Sequence, residues 1–118
     1  MAEVAILHYR TVDGRIPYRE WIDSIADRKA CAAVLARVDR LAFGAFGDWK
    51  VVGEGVFELR VHLGPGYRVY FGRRGNSVVI LLCGSDKGSQ NSEIKRAKRY
   101  WKDYETREKA RTGGRSAG

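Results

Sequence analysis

The chain has 118 residues, 44% hydrophobic and 31% charged, with a formal net charge of +8 and a pI near 9.8. That length holds one domain with a real core but not two, and no apolar run approaches the ~20 residues that a membrane helix needs. The opening MAEVAILHYRT has no basic segment followed by a long apolar one, so no signal peptide is read there and a cytoplasmic protein is expected.

The basic excess is uneven. Residues 1–94 hold 13 basic and 11 acidic side chains, whereas residues 95–118 hold nine basic and three acidic. An acidic partner is implied, either a nucleic acid or an acidic protein. Cys31 and Cys83 lie far apart on apolar faces and are expected as buried thiols rather than a disulfide. Two cysteines and two histidines scattered along the chain do not suggest a zinc site, and no cofactor is expected.

In chain order, residues 3–9 (EVAILHY) form a β-rich run and a first strand. An Asp-Gly turn follows, and then Pro17 suits the first turn of a helix, where its missing N–H costs nothing. Tyr18, Trp21, Ile22 and Ile25 continue at helical spacing. Asp27 is placed to cap a second helix, whose stripe is Cys31, Val34, Leu35, Val38 and Leu41, with Gly44 at its end. Helices are thus expected over 16–26 and 28–43. Residues 45–55 are a glycine-punctuated connection carrying Trp49 and Lys50, in which Val51 and Val52 could begin a strand. Three β runs follow at 56–63, 67–73 and 77–83, joined by Gly64-Pro65-Gly66 and by a turn at Arg74-Gly75-Asn76. Such short turns predict an antiparallel meander. After a polar loop over 84–90, Ile94, Ala97, Trp101 and Tyr104 mark a last helix. From about residue 106 the chain reads as a basic, disordered tail. The order β-α-α-β-β-β-α predicts an α+β fold, an antiparallel sheet with the two N-terminal helices on one face. The other face is expected to stay open.

Alternate strand residues face opposite sides. Phe57, Leu59, Val61 and Leu63, with Tyr67, Val69 and Phe71, make an apolar face. Glu58, Arg60, His62, Arg68 and Tyr70 make a polar one, with Lys87 within reach of its rim. Arginine grips phosphate oxygens with two prongs, and Tyr70 or Trp49 could stack on an unpaired base, although a half-buried loop anchor is the plainer role for Trp49. A solvated face with Glu58–Arg pairs across strands is the plainer alternative. No Ser-His-Asp set, carboxylate pair or P-loop is present in the sequence pattern.

Several segments together resemble one family. YREW at 18–21, GAFGDWK at 44–50, ELR at 58–60, GPGYR at 64–68 and LLCGSDKGSQ at 81–90 are similar to motifs of the RelE/ParE toxin superfamily, in its HigB-like addiction-module-killer branch. The likeness covers residues 3 to about 101, which implies a RelE-like toxin domain over 1–105 and a tail over 106–118. Ser85 stands where that family usually has a second glycine. The resemblance implies a toxin held in check by a cognate antitoxin, commonly a small helix-turn-helix protein. It further implies cleavage of mRNA on the ribosome, without a metal, by attack of a 2′-OH on the neighbouring phosphate. Carried over by motif, Arg68 and Arg60 would hold the phosphate, and Lys87 or Lys50 would serve proton transfer or charge stabilisation. Tyr70, His62, Gln90 and Trp49 would contact RNA. The tyrosine that related enzymes use near the C-terminal segment has no match, so Glu58, His62 and Tyr70 remain alternatives for the base. A gyrase inhibitor of the ParE kind, or an RNA-binding module without catalysis, are the other functions the pattern admits.

Overall fold

A computed structural model describes the backbone of residues 3–116 and the side chains of residues 3–112. Five strands and three helices follow in the order β1 (Ala5–His8), α1 (Pro17–Ser24), α2 (Arg28–Leu41), β2 (Trp49–Gly53), β3 (Val56–Val61), β4 (Tyr67–Arg74), β5 (Val78–Asp86) and α3 (Gln90–Ser116). The fold is mixed α+β, built on one sheet with strand order β1-β5-β4-β3-β2.

Local chemistry accounts for most boundaries. Pro17 opens α1. Asp27 caps α2 by accepting from the amides of Lys29 (2.9 Å) and Ala30 (3.3 Å), a device that stabilises a helix by about 1 kcal/mol. The α1 and α2 stripes then pack inward, except that Leu35 of the expected α2 stripe is exposed at the margin of the helix's buried face. Tyr18, Ile22, Val34, Val38 and Leu41 meet Leu59, Val61, Val69, Phe71, Val79 and Leu81 in one buried cluster.

Several expectations need correction. The glycine-punctuated connection contains a full strand, β2, so the order is β-α-α-β-β-β-β-α. Glu54 (φ 52°) and Gly55 (φ 83°) close the β2–β3 hairpin in a two-residue turn of the left-handed kind that matches strand twist. The sheet is not wholly antiparallel, because β1 lies parallel to β5, with Ala5 opposite Val78. β3 ends at Val61, and Leu63 sits half-exposed in the turn rather than in the core.

One correction bears most on function: the second sheet face is not open. Tyr9, Val56, Tyr70, Ile80, Leu82 and Cys83 form a second core with Ala97 and Trp101 of α3. A bulge supplies part of it. Tyr70 pairs with Cys83 and Phe71 with Leu81, which leaves Leu82 as an extra residue. Both faces also depend on a missing side chain. A Cβ on Gly72 would lie 2.2 Å from the Trp101 ring, and one on Gly84 would lie 2.2 Å from the Trp21 ring. α3 runs on through residues 106–116, where a tail was expected, and Glu108 there pairs with Arg74 at 3.4 Å. Residues 117–118 lie outside the described residues.

Candidate functional site

The sheet register builds the site row by row. Lys50 of β2 is opposite Glu58 of β3, and Glu58 is opposite Tyr70 of β4. In the next row Arg60 is opposite Arg68, and Arg68 is opposite Ser85 of β5. Directly paired residues share a face, so all six project to the side that carries α3. β5 extends to Asp86, which draws Gly84 and Ser85 out of the expected loop and into the sheet.

Two arginines face to face repel each other, and Glu58 answers that repulsion from the adjacent row. Its side chain is fully buried. One oxygen, Oε1, lies 3.6 Å from Arg60 Nε and 3.8 Å from Lys50 Nζ. The other, Oε2, lies 3.6 Å from Arg68 Nε and accepts a 2.8 Å hydrogen bond from Gln90 Nε2 at the start of α3. Burial of a carboxylate is costly unless cations and donors surround it, and here three cations and an amide do so.

Beside this cluster, His62 Nε2 donates to the Asp48 carboxylate. That bond, helped by the nearby Arg60 and Arg37, holds the Asp48 carboxyl below its ordinary range. His62 is largely exposed. A depression of about 490 Å³ is lined by His62, the turn at residues 63–66, Arg68 and Lys87. Arg68 therefore joins two groups of side chains: the Glu58 cluster on one side and the His62–Lys87 depression on the other.

The structure thus gathers Lys50, Arg60, Arg68 and Gln90 around Glu58, and places Lys87 and His62 with Arg68. Two residues stand elsewhere. Tyr70 is on the expected face but fully buried under α3, its hydroxyl 2.9 Å from Ser85 Oγ, and burial raises the phenol well above its ordinary pKa. It has no surface on which a base could stack. Trp49 projects to the opposite face, edge-on to Phe46 and Phe57, away from the cations. Asp48 and Ser85 lie within the motifs of the sequence but were expected to carry no role in the site. Asp48 sits in a Gly-Asp pair that looks like turn chemistry, and Ser85 sits in a stretch polar enough to pass for loop.

Among the described residues no group of histidine, cysteine and carboxylate side chains could hold a metal, and no helix is long and apolar enough to cross a membrane. No family model matches the chain. Over 83 residues it is 46% identical to an uncharacterized protein of Haemophilus influenzae (strain ATCC 51907 / DSM 11121 / KW20 / Rd), a match that covers 70% of this chain and 84% of that protein. At that identity and coverage, the chain belongs to the same family as the Haemophilus influenzae protein.

Proposed function

We propose that the chain is the toxin of a type II toxin–antitoxin pair, RelE-like in fold and HigB-like in branch, and that it cuts mRNA on the ribosome in the cytoplasm. The observation that carries this reading is the pair Arg60–Arg68, set side by side with Lys50 and Lys87 near them on a site whose overall charge is positive. Such a site suits a phosphodiester whose charge grows during reaction.

In the proposed reaction the ribose 2′ oxygen bonds to the adjacent phosphorus and the bond from phosphorus to the 5′ oxygen breaks. The products are a 2′,3′-cyclic phosphate and a 5′-hydroxyl. Arg60 and Arg68 hold the non-bridging oxygens, and Lys50 adds charge. His62 takes the 2′ proton, its ring oriented by Asp48. Lys87, across the depression, returns a proton to the leaving 5′ oxygen. Tyr70 and Glu58 are poor bases here, because both are fully buried and already engaged. The net charge of +8 also suits an acidic segment of a small helix-turn-helix antitoxin laid over the cationic site.

The test is to induce the protein in cells and map 5′ ends of mRNA. New ends on translated messages are expected, and Arg68→Ala should abolish them; because Arg68 is one of three cations around the buried Glu58, circular dichroism of the purified variant checks that it still folds. Arrested translation without new ends would remove the enzymatic reading, and a DNA-damage response would point to gyrase instead.

A further inference from the structure

Cross-strand Glu58–Arg pairing was one expectation for this face, but not that Glu58 would be fully buried. It occupies an inward strand position between Val56 and Arg60, where the second core would accept an apolar side chain. Instead a carboxylate is buried there, with no exposed surface. Its two oxygens divide three cations and an amide between them: Arg60 and Lys50 on Oε1, Arg68 and the Gln90 amide on Oε2. Both arginines meet it through Nε, the inner edge of the guanidinium, and neither Nε makes a hydrogen bond among the described residues. Their outer nitrogens donate to no protein acceptor among the described residues, and both side chains keep a partly exposed edge. Arg60 Nε also lies 3.9 Å from Asp48 Oδ1, but Glu58 is the buried anion that both forks share by their stems, and it leaves their prongs without a protein acceptor. A second anion of matching shape has a place prepared for it.

We infer that Glu58 is a positioning residue: it is a built-in counter-anion that holds Arg60 and Arg68 at the spacing of a phosphate or similar tetrahedral oxyanion. This deepens the proposed function, on which its biological meaning rests, but the oxyanion site itself is a separate claim. Direct pairing of like charges on β3 and β4 would push the two side chains apart. Glu58 removes that repulsion before any ligand arrives, so the free protein is already arranged to bind. A carboxylate that merely neutralised charge could equally sit at the surface. Burial fixes its position, and Gln90 ties that position to the first turn of α3. Lys50 from the edge strand completes the set, so three strands and a helix converge on one carboxylate.

The experiment uses the purified full chain, inorganic phosphate as the probe, and NMR signals of the arginine Nε–H groups. In the native protein, distinct and slowly exchanging Arg60 and Arg68 signals are expected without phosphate, and phosphate should shift both. Glu58→Gln keeps the shape and removes the charge. Both signals should collapse to the position of free arginine, and phosphate affinity should fall about tenfold because the arginines lose their fixed spacing, even though a like charge is removed. Ordered arginine signals and undiminished phosphate affinity in Glu58→Gln would overturn the inference, even if its melting temperature changed. Should that variant fail to fold, Glu58→Asp decides. It keeps the charge but withdraws the carboxylate by one methylene, and phosphate affinity should drop several-fold; native affinity would overturn the inference. A Glu58-dependent phosphate site in a protein that cuts no mRNA would sink the proposed function alone. Cleavage that survives Glu58→Gln would sink this inference alone.

Discussion

At the scale of single residues, the molecule depends on atoms that are absent as well as on those present. Gly72 has ordinary strand geometry, yet a Cβ there would lie 2.2 Å from two carbons of the Trp101 ring. Trp101 is buried and clamped, so it cannot turn aside cheaply. Gly72→Ala should cost 1–3 kcal/mol or so, the usual penalty of overpacking, read as a lower urea midpoint. Trp101→Phe in the same chain should return part of that loss, and strictly additive effects would refute the clash. The sequence could not single out Gly72. It lies in YRVYFGRRG, and its partner is a tryptophan on a helix that begins after the last strand. The placement of Arg60 and Arg68 on one side was legible, because strand parity depends only on counting. Tyr70 shows where counting stops: parity names the side but not what covers it.

At the scale of elements, α3 is the roof over the second face, and one contact secures it to the end of β1. Tyr9 donates a 2.7 Å hydrogen bond to Asp103, stacks on Tyr100 at 4.9 Å and lies under Arg107. The Asp103 carboxyl is held below its ordinary 3.8, first by that bond and then by Arg107. A carboxyl depressed in the folded state contributes stability above its ordinary value and loses it as pH falls through the lower folded one. Tyr9 is pushed up to about 12, chiefly by burial and then by its bond to Asp103. Its contribution is therefore complete below pH 10 and is lost as pH rises through about 12. Tyr9→Phe should bring the Asp103 titration, followed by carboxyl carbon shifts, back toward 3.8. An unchanged titration would show that Arg107 alone sets it. The helices were readable from their stripes and the Asp27 cap. The roof was not, because the apolar residues of α3 fit a one-sided packing on either face of a sheet, and the bulge at Leu82 leaves no local signature.

At the scale of the whole molecule, charge is divided between two places. Residues 95–118 carry nine basic and three acidic side chains, and the cationic site on the sheet lies at the start of the same helix. Salt dependence separates the two contributions. For single strands, each phosphate neutralised adds about 0.7 to the slope of log affinity against log salt, so four cations at the site predict a slope near −2.8 for short RNA. Arg68→Ala should reduce its magnitude by about 0.7. Lys102→Ala, exposed on α3, should leave it unchanged. Equal effects of the two would place RNA along the helix instead.

The parallel pairing of β1 with β5 has a consequence for biosynthesis. Ala5 emerges from the ribosome early and must wait for Val78 before its strand has a neighbour. Gln90, which steadies the buried carboxylate, comes later still. A nascent chain therefore carries Arg60 and Arg68 well before it can arrange them, and non-local closure of this kind is slow. If the proposed function holds, the ribosome that makes this protein is spared until synthesis is nearly over, and a partner that captures the chain as it closes meets a toxin not yet armed.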